Sequence, residues 1–229
     1  MRRLWQGKLK TSSDERLEIP DAIVEMLRAA DRDAAVFPST VLYEEGWMLR
    51  LVLSFGAEGV FCLPFSFLPG ARLFSEALLY SPFLARSHGD RLAETHTHAD
   101  GVVGHFRFTP TSKTGLELVS DSKQFVVVEA KMYSSLSGGT KNAPFYDQTA
   151  RIVACMAATL ERSQKSVSDF ESIGFYVMAP DSQIKQGVFG EQMTRKSIVE
   201  KVQRRIEQYQ EDRDDFSRFG LGSRRCLTR

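Results

Sequence analysis

The chain lacks most of the features that would settle its chemistry at once. Its three cysteines, Cys62, Cys155 and Cys226, are odd in number, far apart and never spaced C-x-x-C. That argues against a disulfide framework and a zinc ribbon, and fits a reducing compartment. No apolar run approaches the roughly 18 residues of a membrane span. The first residues lack the apolar stretch of a secretory signal, so the expectation is a soluble, cytoplasmic protein without a membrane partner. G-x-G-x-x-G, G-x-x-x-x-G-K-[ST] and a serine nucleophile elbow are all missing, and the loop "SGGTK" at 137–141 has only a faint likeness to a phosphate cradle. There is no internal repeat, no low-complexity tract and no linker that would divide the chain.

What is present is enough for one sizeable core: 229 residues, 42% of them hydrophobic. The formal charge of +1 hides "MRRLWQGKLK" at the start, with basic residues and no acid, and "GSRRCLTR" at the end. Such patches permit a nucleic-acid partner without requiring one, because phosphate binding needs a local basic surface rather than a high global charge. The expected organisation is one domain over 1–229: an N-terminal extension and helix at 1–35, a core at 36–180 and a C-terminal helical region at 181–229.

Periodicity predicts helices at 18–33 and 37–55. In the second, Ser39 or Thr40 caps, Val41, Met48, Val52 and Phe55 share a face with Leu51 beside them, and Glu44 and Glu45 flank it. The aromatic stretch that follows, broken by Pro64, Pro69 and Pro82, is expected to hold one short helix at 72–80. The period then changes. "GVVGHFRF", "LELVS" and "FVVVEAKM" are three strands joined by polar turns, an antiparallel meander. A long helix at 146–163 carries Ile152, Met156 and Leu160 on one face, with Cys155 as a small core residue. "IGFYVMAP" is a further buried strand, and 197–212 forms an amphipathic helix.

The chemistry centres on "QFVVVEAKMYSSLSGG", residues 124–139, where an apolar strand runs directly into Glu129 and Lys131. Strand alternation places both on one face. A lone buried charge is costly, so the carboxylate needs a cation and the ammonium an anion. A divalent metal beside a phosphate satisfies both. With 29 acids in 229 residues, chance alone supplies about one [DE]-x-K triplet. The chain has a second, Asp121-Ser122-Lys123, in a polar turn where both charges can be solvated, and only Glu129-Ala130-Lys131 follows a buried strand.

Three neighbours strengthen that reading, and each has an ordinary alternative. Asp100 opens the first meander strand, where it would converge with Glu129 on Mg²⁺ or Mn²⁺; an Asp before Gly is also a common turn. Gln148 lies in the first turn of the next helix, close to the strand end if that helix packs back, or else solvated. Glu44 and Glu45 offer a helical carboxylate, or a salt bridge at the rim. His96 and His98, with His105 nearby, raise a zinc reading that lacks a fourth ligand. Lys141, in the glycine-rich loop, is placed to touch a phosphate.

Together, a helix with an acid, an Asp at a hairpin, an apolar strand ending in Glu-x-Lys and a following helix with Gln resemble the PD-(D/E)xK, or restriction-endonuclease-like, nuclease superfamily over roughly residues 39–160. The resemblance implies a three-layer α/β fold with a mixed central β-sheet flanked by helices. It also implies hydrolysis of phosphodiester bonds, most readily in DNA, with Mg²⁺ or Mn²⁺ held by Asp100, Glu129 and the main-chain carbonyl of Ala130. Lys131 would align the attacking water, Gln148 would assist, and Glu44 or Glu45 would be the helical acid. A homodimer is compatible with cutting two strands. The chain departs from the pattern in having Ala99 where the family has proline. The stretch from Asp100 to Glu129 is also long and needs an extra hairpin, which leaves Asp90 and Glu117 as fallback acids. The alternatives are a catalytically silent module of the same fold that binds nucleic acid or a protein, and a hydrolase acting on small molecules or nucleotides.

Overall fold

The computed structural model describes residues 45–60, 62–85, 88–94, 97–109 and 115–218. The expected helix at 18–33, the Ser39 or Thr40 cap, Val41, Glu44 and His96 lie outside these residues. The elements, in order, are helix α1 (Glu45–Ala57), strands β1 (Arg72–Leu79), β2 (Thr97–Gly104), β3 (Phe106–Phe108), β4 (Leu116–Leu118) and β5 (Gln124–Ala130), and helix α2 (Gln148–Arg162). Strand β6 (Ser172–Met178) and helices α3 (Asp181–Lys185) and α4 (Arg195–Arg218) complete the series.

The protein is mixed α/β. Four strands form a sheet in the order β1-β2-β5-β6, antiparallel from β1 to β5 and parallel between β5 and β6. A parallel neighbour cannot be reached by a hairpin, and α2 supplies the crossover. Every residue of β5 is buried, which explains its unbroken apolar run: both faces are covered. Val126, Val128 and Ala130 pack with Leu49 and Leu53 of α1, while Phe125 and Val127 pack with Ile152, Cys155, Met156 and Leu160 of α2. Helix α2 starts where Asp147, its N-cap, accepts from the Ala150 N–H at 3.1 Å. Helix α4 lies against α2, with Val202, Ile206 and Tyr209 on Tyr146, Ala150 and Ala154. No described helix is long and apolar enough to cross a membrane.

Four expectations need correction. Residues 72–80 are not a helix: Leu73, Phe74, Ala77, Leu78 and Leu79 pair along β2, so the sheet overrides a composition that suits helices. The meander is interrupted. β2 ends at Gly104, where a Cβ would strike the Gln124 carbonyl, and β3 and β4 form a separate two-stranded sheet, leaving β5 to pair back with β2. Asp100 therefore lies inside β2 rather than at its mouth. On α1 the buried face is Leu49 and Leu53, with Met48 partly packed beside them; the face expected from Met48, Val52 and Phe55 is rotated from the true one.

The pleat also reverses at the site. Ser75 accepts from Arg50 of α1 and a Cβ on Gly101 would meet Leu49, so this pair faces α1. Two residues along, the paired Ala77 and Ala99 belong to the core that α2 covers. Between them lie Asp100 and Glu76, and Glu76 has φ 58°, a left-handed conformation that is uncommon for a residue with a Cβ.

Candidate active site

At the C-terminal end of β5, Glu129 and Lys131 point to the α2 face, as alternation requires. The Lys131 ammonium lies 2.7 Å from Glu129 Oε1, and the two residues are only 8% and 2% exposed. Gln148, the first residue of α2, donates its side-chain amide to the same Oε1. Its other end accepts from the N–H and hydroxyl of Ser137 at 3.0 and 3.2 Å, which pins the loop after β5 to the start of α2. Asp100 arrives from β2, and its Oδ2 accepts from the Ala130 N–H at 2.8 Å, taking the place of a ladder bond. In an extended strand a residue's N–H and C=O leave by the same edge, so the Ala130 carbonyl also faces Asp100. From α1, Glu45 accepts from Met132 N–H and Ser134 Oγ, both at 2.7 Å, and its Oε2 lies 3.9 Å from the Lys131 ammonium.

The electrostatics are those of a site short of positive charge. Burial pushes the Glu129 carboxyl up from 4.5 to about 7; Asp100, in hydrogen-bonding contact with it, pushes the same way through its charge, and Lys131 only partly offsets them. Glu129 Oε2 is buried and has no donor. Burial pulls the Lys131 ammonium down, but the hydrogen bond and charge of Glu129, with Glu45 and Asp100 behind it, outweigh that and raise it above its ordinary value. Lys131 therefore stays charged.

A small divalent cation fits these residues. Two carboxyls in contact, one with a buried oxygen that no donor meets, are the oxygen set such an ion uses, and Mg²⁺ commonly takes only one or two carboxylates. Among the described residues no three His, Cys, Asp or Glu side chains gather around one point. Other positions would fall to the Ala130 carbonyl and to water.

The other candidates lie apart from this centre. Asp90 accepts from the Leu92 N–H and Glu117 pairs with Arg107, so neither fallback acid is drawn on. Lys123 of the second triplet donates to the Asp169 carbonyl. His105 is bound to backbone: Nδ1 accepts from Lys123 and Gln124 N–H, and Nε2 meets the Pro69 carbonyl.

No pattern in the sequence marks Gln183, on α3, which is buried. It accepts from the Tyr133 N–H and donates to the Ser134 carbonyl, each at 3.0 Å. This holds Tyr133 at φ 65° and turns the chain sharply after Lys131. A polar residue in a short surface helix carries no signal of such a role. Ser137, read simply as loop, is likewise revealed only by its bond to Gln148. Comparison with protein-family models, curated proteins and solved structures yields no match to this chain.

Proposed function

We propose that the protein is a divalent-metal-dependent nuclease that hydrolyses phosphodiester bonds, with DNA as its first-choice substrate and Mg²⁺ or Mn²⁺ as its cofactor. One observation carries this reading: Lys131 and Gln148 both bond Glu129 Oε1, and Asp100 lies beside the same carboxyl on the Ala130 N–H, while the other oxygen, Oε2, is buried and met by no donor. The order of contributing elements also supports a restriction-endonuclease-like, three-layer arrangement: a helix with Glu45, an antiparallel strand with Asp100, a central strand ending in Glu129-Ala130-Lys131 and a crossover helix opening on Gln148.

In this reading Asp100, Glu129 and the Ala130 carbonyl hold the ion. When bound, it activates water and stabilises charge on the phosphate oxygens. Lys131 keeps a charged donor beside the ion's ligands, where it orients the attacking water and faces the negative charge that develops on the phosphate. Gln148 fixes the Glu129 carboxylate through Oε1, leaving Oε2 for the metal. Glu45 holds the backbone that follows Lys131.

The test is incubation of purified protein with single- and double-stranded DNA and RNA, in Mg²⁺, Mn²⁺ or chelator, beside Glu129→Ala and Lys131→Ala. The expected result is metal-dependent cleavage, stopped by chelator and reduced about 10²-fold or more in both variants. Failure of the wild type to cut any of these substrates in either metal rejects the reading, and binding without cleavage would leave a silent nucleic-acid module in its place.

A further inference from the structure

Gln148 borders more than the site around Glu129. It also lines a cavity of about 390 Å³ shared with Arg91, Glu94, His98, Lys141 and Arg151, which the chemistry above does not use. Among the described residues none of its three permanent cations forms an ion pair. The Arg151 guanidinium makes one hydrogen bond, to the Gly138 carbonyl at 3.3 Å, and its Nε is buried without an acceptor. The one acid, Glu94, is committed elsewhere, to Ser81 Oγ at 2.9 Å and to Arg205 at 3.3 Å. Among the described residues, three cations thus line one cavity without an ion-pair partner, and low-dielectric walls focus such a field on an anion.

The backbone beneath two of these cations is also held in place. The Asn142 side chain donates to the Arg91 carbonyl at 2.5 Å, and its own carbonyl accepts from Gln208 at 2.8 Å. The loops carrying Arg91 and Lys141 are therefore tied to each other and to α4.

We propose that this cavity binds a phosphate of the substrate strand beside the one that is cut, with Arg91, Lys141 and Arg151 as its cationic donors. Its neighbour across Gln148 is a metal-and-phosphate site, and the next anion along a nucleic-acid strand is another phosphate. Two guanidinium groups suit the paired oxygens of that group better than they suit a single point charge. The position relative to the cut rests on the nuclease reading; the binding of phosphate does not.

Two measurements keep these apart. Equilibrium binding of a fluorescent single-stranded oligonucleotide in chelator, where no cleavage occurs, is compared for wild type, Arg91→Ala/Lys141→Ala and Lys141→Glu, all at exposed positions that should fold normally. The expected result is at least a tenfold weaker Kd for the double variant, with its salt dependence shallower by about one per cation removed. Cleavage kinetics on 5′-phosphorylated, 5′-hydroxyl and circular strands should show a raised KM with kcat retained. A loss confined to phosphorylated ends identifies a terminal phosphate, and an equal loss on circles identifies an internal one. Unchanged Kd and salt slope in both variants, or absence of oligonucleotide binding by the wild type, overturns the subsite. A wild type that binds through these cations but does not cut removes the nuclease reading alone.

Discussion

Glu129 is an acid kept where an acid is costly. Buried against Asp100, it holds its proton up to about pH 7, whereas in the unfolded chain it would lose it near 4.5. The folded state therefore binds the extra proton between those values. The corresponding stability is fully present below about pH 4.5 and is lost as pH rises toward 7, on the order of 3 kcal/mol. A cation that displaces the proton reverses the loss. Mg²⁺ or Mn²⁺ should accordingly raise Tm more at pH 8 than at pH 5.5, measured by thermal unfolding with and without chelator; equal shifts at both pH values would remove Glu129 from the metal site. Much of this centre was legible in the sequence, because Glu129 and Lys131 two apart at the end of an apolar run must share a face. The contrast with Asp121-Ser122-Lys123 was legible for the same reason. Gln183 was not, since nothing local marks a glutamine that bonds backbone fifty residues away.

At the scale of elements, the site depends on how the loop between β5 and α2 is folded. Gly139 approaches the Ala143 carbonyl and Pro144 so closely that a methyl there would collide with backbone, whereas Gly138 has nothing within 4 Å. Ser137, just before them, is the anchor of Gln148. Gly139→Ala should therefore destabilise the protein by about 1–3 kcal/mol and lower the proposed cleavage about 10-fold or more by loosening a group that supports the proposed metal ligand. Gly138→Ala should be near neutral in both. Urea unfolding and initial rates on one oligonucleotide check the pair, and equal effects would mean that the loop is not seated as described. The same scale shows where sequence patterns stop being informative. "RLFSEALL" carries leucines and alanine that suit a helix, and only the partner strand β2 makes it β1. "GVVGHFRF" alternates like one strand, yet the close approach of Gly104 to Gln124 and the backbone bonds of His105 break it in two. The β5 run and the α2 face were legible because their apolar periods match the burial they receive.

For the whole molecule, the C-terminal helix is more than a cover. Its amphipathic pattern was readable, but of the adjacent Arg204 and Arg205 the sequence does not say which turns inward. Arg205 does, at 1% exposure. It donates to the Leu92 carbonyl and to Gln208 at 2.8 Å, stands over Phe83 and Tyr146, and lies 3.3 Å from Glu94 Oε1, though without hydrogen-bond alignment. Through Leu92 and Glu94 it fixes the segment that carries Arg91 and lines the basic cavity, while Lys201 of the same helix reaches the α2 cap, Asp147, at 2.6 Å. Removing only the arginine leaves Glu94 buried without its charge partner, so Arg205→Ala should cost about 3–5 kcal/mol. Replacing both members, as Arg205→Met with Glu94→Met, should recover most of that loss, because two apolar side chains need no partner. Denaturant unfolding of wild type, Arg205→Met, Glu94→Met and the double variant closes a cycle that measures the coupling. Oligonucleotide binding by the double variant then separates support from recognition. Arg205 touches neither the cavity cations nor Gln148 in any bond described above, and Glu94 is the one acid of the cavity lining, so a stable double variant should bind at least as tightly as the wild type; a tenfold loss despite recovered stability would make the ion pair itself a determinant of how the cavity presents Arg91.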